Sequence, residues 1–286
     1  MDKKFNKSFL LIGLTVLIAA CQPEQSTASS PSIEPTIAPT LTFEAPISMP
    51  PTAPAPTLAP TRSPDSNYNI SFDIPLELSA SASSSLSTDA EFPYIYPEDS
   101  MPEHRVFRFT NYPVQVPRDA RIMVFKASDY ASYSELLQQA VTALSAGQDM
   151  LQPLPDSLVQ GEFYAQGKPI PFKNGHGVRY LTQVLIDFGA INNEGLFYYY
   201  QGISADGAYF ISAIFPVIAE FLPANGLPDA VTPPEGVPFD WQGSYLDFPP
   251  YLSAVTQKLN DTPAERYTPS LLTLDRLIES IQVSGP

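Results

Sequence analysis

The chain has 286 residues, with 15 Lys and Arg against 30 Asp and Glu, a formal net charge of −15, two histidines and one cysteine. That balance argues against binding nucleic acid and against docking on anionic lipid head groups. A single cysteine excludes an intramolecular disulfide and any CxxC-type metal site.

Lys3, Lys4 and Lys7 make the amino end positive, and an apolar run from Phe9 to Ala20 follows, interrupted only by Gly13 and Thr15. A charged start, a short apolar run and small residues at its end form the pattern of an export signal. A helix needs roughly 20 apolar residues to cross a bilayer core, so this run is too short for a permanent span. It ends in Leu17-Ile18-Ala19-Ala20-Cys21, which resembles the lipobox of bacterial lipoproteins: an aliphatic residue, two small ones, then cysteine. The resemblance covers residues 1 to 21. It implies a signal peptide over 1–20, cleavage before Cys21, a diacylglyceryl group on the Cys21 thiol, and a domain on the extracytoplasmic side of the cell membrane. Ile18 stands where leucine is usual. Gln22 follows the cysteine, so the aspartate associated with inner-membrane retention in two-membrane bacteria is absent. Lipid would consume the one cysteine, and two acyl chains anchor stably where one is marginal, at about 0.8 kcal/mol per buried methylene.

From Cys21 to residue 65 the chain is built from Pro, Thr, Ser and Ala, as in Ala53-Pro54-Ala55-Pro56-Thr57. Such a composition buries too little apolar surface to offset its ordering entropy, and it predicts a disordered linker. Extended at about 3.1 Å per residue, it would hold a domain on the order of 100 Å from a membrane. From 66 to 286 the composition is that of one globular domain, with 25 acidic and 11 basic residues and the single tryptophan, Trp241.

Within that domain, the Ser- and Ala-rich stretch Ser79 to Asp89 reads as a loose loop. Arg105 to Tyr112 and Ala120 to Lys126 alternate as strands. Ser132 and Glu135 have capping-box spacing, and Leu136, Leu137, Ala140, Val141 and Leu144 then share a helical face, with Gly147 placed to end it. Val178 to Phe188 shows period two, with one face mostly apolar, as in an antiparallel strand. Phe197 to Ser204 and Ala208 to Val217 flank Asp206-Gly207, which predicts a two-residue type I′ hairpin. Both faces of that hairpin are apolar, which places it in the middle of the sheet. Asn174-Gly175 reads as a second such turn. Pro249 or Pro250 opens a helix through Tyr251, Leu252, Val255 and Leu259. Thr268-Pro269 opens another, through Leu271, Leu274, Leu277, Ile278 and Ile281, with Thr268 as cap. The expected fold is α+β: an antiparallel sheet of five to seven strands flanked by helices from the middle and end of the chain. The Leu-x-x-Leu-x-x-Ser spacing from Leu274 to Ser280 is similar to that of a late helix in PsbP-like extrinsic proteins. Those proteins pair an antiparallel sheet with flanking helices, and the resemblance implies an accessory or assembly role at a membrane complex.

Chemistry-bearing motifs are few. Gly202-Ile203-Ser204-Ala205-Asp206 approaches a G-x-S-x-G nucleophile elbow but lacks the closing glycine, so its residues read as strand and turn. His176, between Gly175 and Gly177, reads as an exposed turn histidine. Asp187, Asn192, Asn193 and Glu194 bunch as calcium ligands would, although Asn and Asp gather in turns for backbone reasons. Neither a metal nor a cofactor is expected. The most suggestive segment is the proline-rich loop from Leu222 to Pro250, since long loops in compact domains tend to be functional. There Asp240, Trp241, Tyr245 and Asp247 combine carboxylates with aromatic faces. They are the candidate ligand-binding residues, for a sugar, a peptide or a cation, together with exposed tyrosines near the central hairpin. The expectation is a binding or structural module at the cell surface. The alternatives are a carboxylate-dependent hydrolase of cell-envelope or extracellular polymer and an accessory factor of a membrane complex.

Overall fold

The computed structural model describes residues 61–62, 68–89, 101–147, 163–185 and 189–285. All of them lie in the compact unit Ala53–Pro286. The apolar run, Cys21 and nearly all of the linker fall outside these residues.

The longest aromatic and β-branched runs of the chain form its centre. The strands are β1 (Thr61–Arg62), β2 (Asn69–Phe72), β3 (Ser81–Ser87), β4 (His104–Thr110), β5 (Arg121–Lys126), β6 (Ala165–Pro169), β7 (Gly175–Thr182), β8 (Phe197–Ser204), β9 (Tyr209–Pro216), β10 (Ile218–Ala219), β11 (Tyr267–Thr268) and β12 (Gln282–Ser284). The helices are α1 (Ala127–Tyr133), α2 (Glu135–Ser145), α3 (Phe248–Asp261) and α4 (Leu271–Glu279). Seven strands pair antiparallel in the order β3-β4-β5-β9-β8-β7-β6, with a smaller sheet β1-β2-β12 and the pair β10-β11 beside them. The fold is therefore mixed α and β, with a seven-stranded antiparallel sheet flanked by helices.

The β8–β9 hairpin sits at the centre of the sheet, as its two apolar faces demand, and every residue of both strands is buried. Tyr198, Tyr200, Ile211, Ala213 and Phe215 share one core with residues of β2, α3 and α4. Phe197, Tyr199, Phe210 and Ile214 face the other core, closed by α1 and α2. Tyr130 of α1 stacks on Phe210 at 4.2 Å between ring centroids. The tyrosines expected to be exposed near this hairpin are core residues: Tyr198, Tyr199 and Tyr200 have no accessible surface. Burial holds the Tyr198 and Tyr200 hydroxyls well above the ordinary tyrosine value, and the nearby Asp275 charge adds to the effect at Tyr198.

Several local expectations change. Ser81–Ser87 is no loop but an edge strand, paired with β4 from Ser81↔Thr110 to Ser87↔His104. A well-formed neighbour supplies the ladder that serine's own propensity does not suggest. The β8–β9 turn is longer than two residues. Gly207 alone has positive φ, and the Ser204 hydroxyl donates to Asp206 while accepting the Tyr209 N–H. The turn near Asn174-Gly175 lies one residue earlier, with Phe172 and Gly175 exchanging both backbone hydrogen bonds around Lys173-Asn174. β7 stops at Thr182 and is buried on both faces, while residues 186–188 lie outside the described set. The helical signal around Ser132 divides into α1 and α2, and the cap is Ser134, whose side chain accepts the Leu137 N–H. Likewise Ser270, not Thr268, caps α4, and Thr268 pairs with Ile218. The Leu274–Ser280 spacing has a packing cause: Leu274 and Leu277 are fully buried, and Ser280 Oγ accepts the Asp73 N–H at 2.8 Å.

One buried charge cluster fastens α4 to the sheet. Asp275 Oδ1 accepts the Tyr198 hydroxyl at 3.1 Å and lies 3.3 Å from Arg179 Nε; Oδ2 accepts Lys168 Nζ at 3.1 Å. Asp275 and Arg179 are each about 3 % exposed. Next to them the β6 register shifts between Ala165 and Lys168, and Gln166 takes a φ of 56°. The bulge turns the Gln166 amide onto the last carbonyls of α3, 2.9 Å from Leu259 and 2.8 Å from Thr262. Among the described residues no helix is long and apolar enough to cross a membrane.

Removing one partner of a buried ion pair leaves the other charge uncompensated and costs about 3 to 5 kcal/mol. Asp275→Ala should therefore lower the thermal midpoint by roughly 6 to 20 °C, at about 2 to 4 °C per kcal/mol for a domain of this size. Calorimetry reads this directly, and an unchanged midpoint would contradict the fastening role.

Candidate functional site

The loop from Leu222 to Pro250 starts where Asn193 staples it. The Asn193 side chain accepts the Ala219 N–H at 2.8 Å and donates to the carbonyls of Ala219 and Leu222, both at 3.1 Å. Asn193 and Glu194 also donate their backbone N–H groups to Pro223 and Ala224. Asn192 accepts the Gly195 N–H and donates to the Ala190 carbonyl. The Asn192 and Asn193 side-chain oxygens, read as potential calcium ligands, are thus used to hold turns. Asp187 lies outside the described residues.

The loop then lies against α3. Trp241 is half-buried and meets Phe239 edge-to-face at 4.8 Å; Phe239 meets Tyr251 of α3 at 4.9 Å in the same manner. The Tyr251 hydroxyl accepts the Ile191 N–H at 2.8 Å, and burial raises it to about 12. A chain of three rings therefore ties the loop to the core. Trp241 is the outermost ring.

The structure brings Asp240 and Asp247 to one cavity, and Trp241 and Tyr245 are not among that cavity's lining residues. Both aspartates line a small cavity of about 130 Å³, with Pro238, Phe239, Ser244, Phe248 and Tyr251. Each also supports its own turn: Asp240 accepts the Gln242 N–H at 2.9 Å, and Asp247 accepts the backbone and hydroxyl of Ser244 as a capping box. Tyr245 is 54 % exposed.

A larger cleft, of about 600 Å³, was not legible in the sequence. One wall is Pro233, Pro234 and Glu235 of the loop. The other is the carboxyl end of α3 and the segment after it, with Lys258, Asp261, Thr262, Pro263 and Arg266, above Glu220 and Phe221. Its volume falls within the roughly 300 to 1,000 Å³ of small-ligand sites. Three segments distant in sequence build it, and none carries a motif. Only the loop length pointed towards it, through Glu235. Arg266 pairs with Glu220 at 3.0 Å, and Lys258 Nζ sits 5.4 Å from the centre of the Phe221 ring. Asp261 accepts the Gln257 amide at 2.8 Å.

A glycosidase general acid is kept protonated by an apolar surrounding, whereas Glu220 is 75 % exposed and ion-paired. His176 is not a turn histidine. It lies in β7, and its Nε2 donates to the Leu144 carbonyl at 2.9 Å, closing the end of α2. The glycines near it serve packing: a Cβ on Gly177 or Gly202 would come within 2.5 Å or 2.6 Å of the Tyr200 hydroxyl, which donates to the Ile170 carbonyl. Ser204 is bonded to Asp206 in the turn, and no histidine shares those bonds. Among the described residues no three His, Cys, Asp or Glu gather as metal ligands would.

Asn193→Ala should free the loop's first turn, at a cost of about 1 to 3 kcal/mol for unpaired buried backbone groups. Hydrogen exchange at residues 219–224 should quicken while β8 and β9 keep their protection. Equal exchange in both chains would show that the loop is held by something else. Comparison with models of protein families, with curated proteins and with solved structures finds no match to this chain.

Proposed function

We propose that the chain is a lipid-anchored extracytoplasmic lipoprotein whose folded domain is a binding module. Lipid on Cys21 holds it to the cell membrane, a disordered Pro- and Thr-rich linker spaces it away, and a ligand enters between the Leu222–Pro250 loop and α3. The lipobox-like run Leu17–Cys21 and the single cysteine support the anchor. The observation that carries the binding function is the cleft of about 600 Å³ with charged and apolar groups on both walls. An extracytoplasmic position suits a domain without disulfides, because its one thiol is used by the lipid.

Two readouts test the two halves. In a bacterial host supplied with labelled fatty acid, the chain should take up label and Cys21→Ala should take up none; label retained in the variant would overturn the anchor. The chain should also be screened by thermal shift against sugars, peptides, divalent cations and cell-wall fragments. A specific ligand at a hundred times its dissociation constant adds about 2.7 kcal/mol, a rise of roughly 5 to 10 °C for this size. A flat response across all four classes would remove the binding function.

A further inference from the structure

The two edges of the seven-stranded sheet are built differently. At one of them β6 is closed to further pairing. Its register breaks between Ala165 and Lys168, Gln166 has a φ of 56°, and Pro169 has no N–H to give. The Gln166 N–H is taken by Asn260 Oδ1 at 2.6 Å. A bulge, a lysine and a proline are common means by which an edge strand avoids pairing with another chain. At the other edge β3 has none of them. Its seven residues, Ser-Ala-Ser-Ser-Ser-Leu-Ser, include no charge and no proline, and they pair with β4 without a break from Ser81↔Thr110 to Ser87↔His104.

The ladder shows which β3 groups point outward. The Phe109 N–H donates to the Ala120 carbonyl, so Phe109 bonds towards β5. In an antiparallel sheet the bonding direction alternates along each strand, and Arg108 and Thr110 therefore bond towards β3. Their partners in register are Ser83 and Ser81. Ala82, Ser84 and Leu86 then turn their N–H and C=O groups to the outer edge. Among the described residues only β4 pairs with β3, and no turn or loop bond reaches the backbone of these three. Leu86 is 42 % exposed, and it lies on the same face of the strand as Ala82.

We propose that β3 is a self-association edge: the β3 strands of two copies of this chain pair antiparallel about Ser84 and join their two sheets into one. An antiparallel pair of identical strands is two-fold symmetric and self-complementary. In this register Ser84 meets Ser84, Ser83 meets Ser85, and the exposed Leu86 of each copy covers Ala82 of the other. Serine hydroxyls bond across such pairs. β3 carries no charge, so two chains with a net charge of −15 each meet along their neutral strands. The chain's own linker is a poor occupant, since prolines such as Pro54 and Pro56 have no N–H for a ladder. Because β6 is closed, β3 cannot pair head-to-tail onto β6 of another copy, and assembly stops at two. The lipid anchor proposed above would hold both copies in one plane and raise their effective concentration. The pairing itself depends neither on the anchor nor on the cleft.

The test places single cysteines in β3 of the full chain, expressed in a bacterial host and treated with a mild oxidant. Directly opposed residues have Cα atoms about 4.5 to 5.5 Å apart, within disulfide range. Ser84→Cys should give a covalent dimer on a non-reducing gel, at least tenfold above the parent chain. Ser81→Cys alone should give none, because in this register two copies of residue 81 stand about 20 Å apart. Ser81→Cys and Ser87→Cys expressed together should cross-link. The same pattern should appear when the cysteines are placed in the purified Cys21→Ala chain at high concentration, so the edge and the anchor fail separately. Equal cross-linking of Ser81→Cys and Ser84→Cys would mean random collision and overturn the edge. No dimer from Ser84→Cys in either setting would overturn it, and so would a cross-link to a different protein instead. A second pair of variants reads association by sedimentation. Ser84→Lys sets two ammonium groups opposite each other and should weaken the dimer at least tenfold with the thermal midpoint unchanged, while Ser84→Thr should keep it. A lysine variant that associates as tightly as the parent would overturn the proposal.

Discussion

Two adjacent strands with no exposed residue set the terms for this fold. β8 and β9 bury aromatic and branched side chains on both sides of the sheet, and a side chain of that size contributes about 1.5 to 3 kcal/mol only if its face is covered. A one-layer cover would leave Tyr199, Phe210 and Ile214, or Tyr198, Ile211 and Phe215, in water. The chain therefore supplies two lids. α1 and α2 close one face, and the small sheet with α3 and α4 closes the other. A buried aspartate on α4, reached by Tyr198, Arg179 and Lys168, fixes the second lid in register.

The two cavities follow from how that second lid is assembled. The chain leaves β9 at one end of the sheet and must return to start α3. Asn193 holds its departure, Gln166 and Tyr267 hold the far end of α3, and Pro249 and Pro250 start the helix in the turn where no N–H is needed. Between those fixed points the loop packs Val237 and Phe239 against the core and meets α3 through the Phe239–Tyr251 contact. Cavities remain where the loop turns away; Glu235, Asp240 and Asp247 come from the loop, and Lys258, Asp261 and Arg266 from the end of α3 and the segment after it.

How much of this the sequence discloses depends on where the information sits. The hairpin centre is legible because Phe197 to Ser204 and Tyr209 to Pro216 are long apolar runs around Asp206-Gly207, and its two-sided burial follows from both faces being apolar. α3 and α4 are legible from their periodic Leu, Val and Ile. The strand Ser81–Ser87 is not, since its order comes from β4 alone. Nor is α1, whose Ala-Ser-Asp-Tyr run holds one large anchor, Tyr130. The candidate site was found in part. Loop length drew attention to Asp240, Trp241, Tyr245 and Asp247, and two of the four share a cavity. Glu220, Lys258, Asp261 and Arg266 stayed hidden, because only the fold brings them opposite Glu235.

The central claim is that the seam between the Leu222–Pro250 loop and α3 is the ligand-binding surface of this domain. Its most direct test is a titration of the isotope-labelled protein with the ligand class that raises its thermal midpoint, followed by amide chemical shifts. The account predicts changes concentrated in Glu235 to Leu246 and along Tyr251 to Asp261, with α1, α2 and β3 unmoved. Shifts centred on α1 and α2, or spread evenly over the acidic surface, would contradict it.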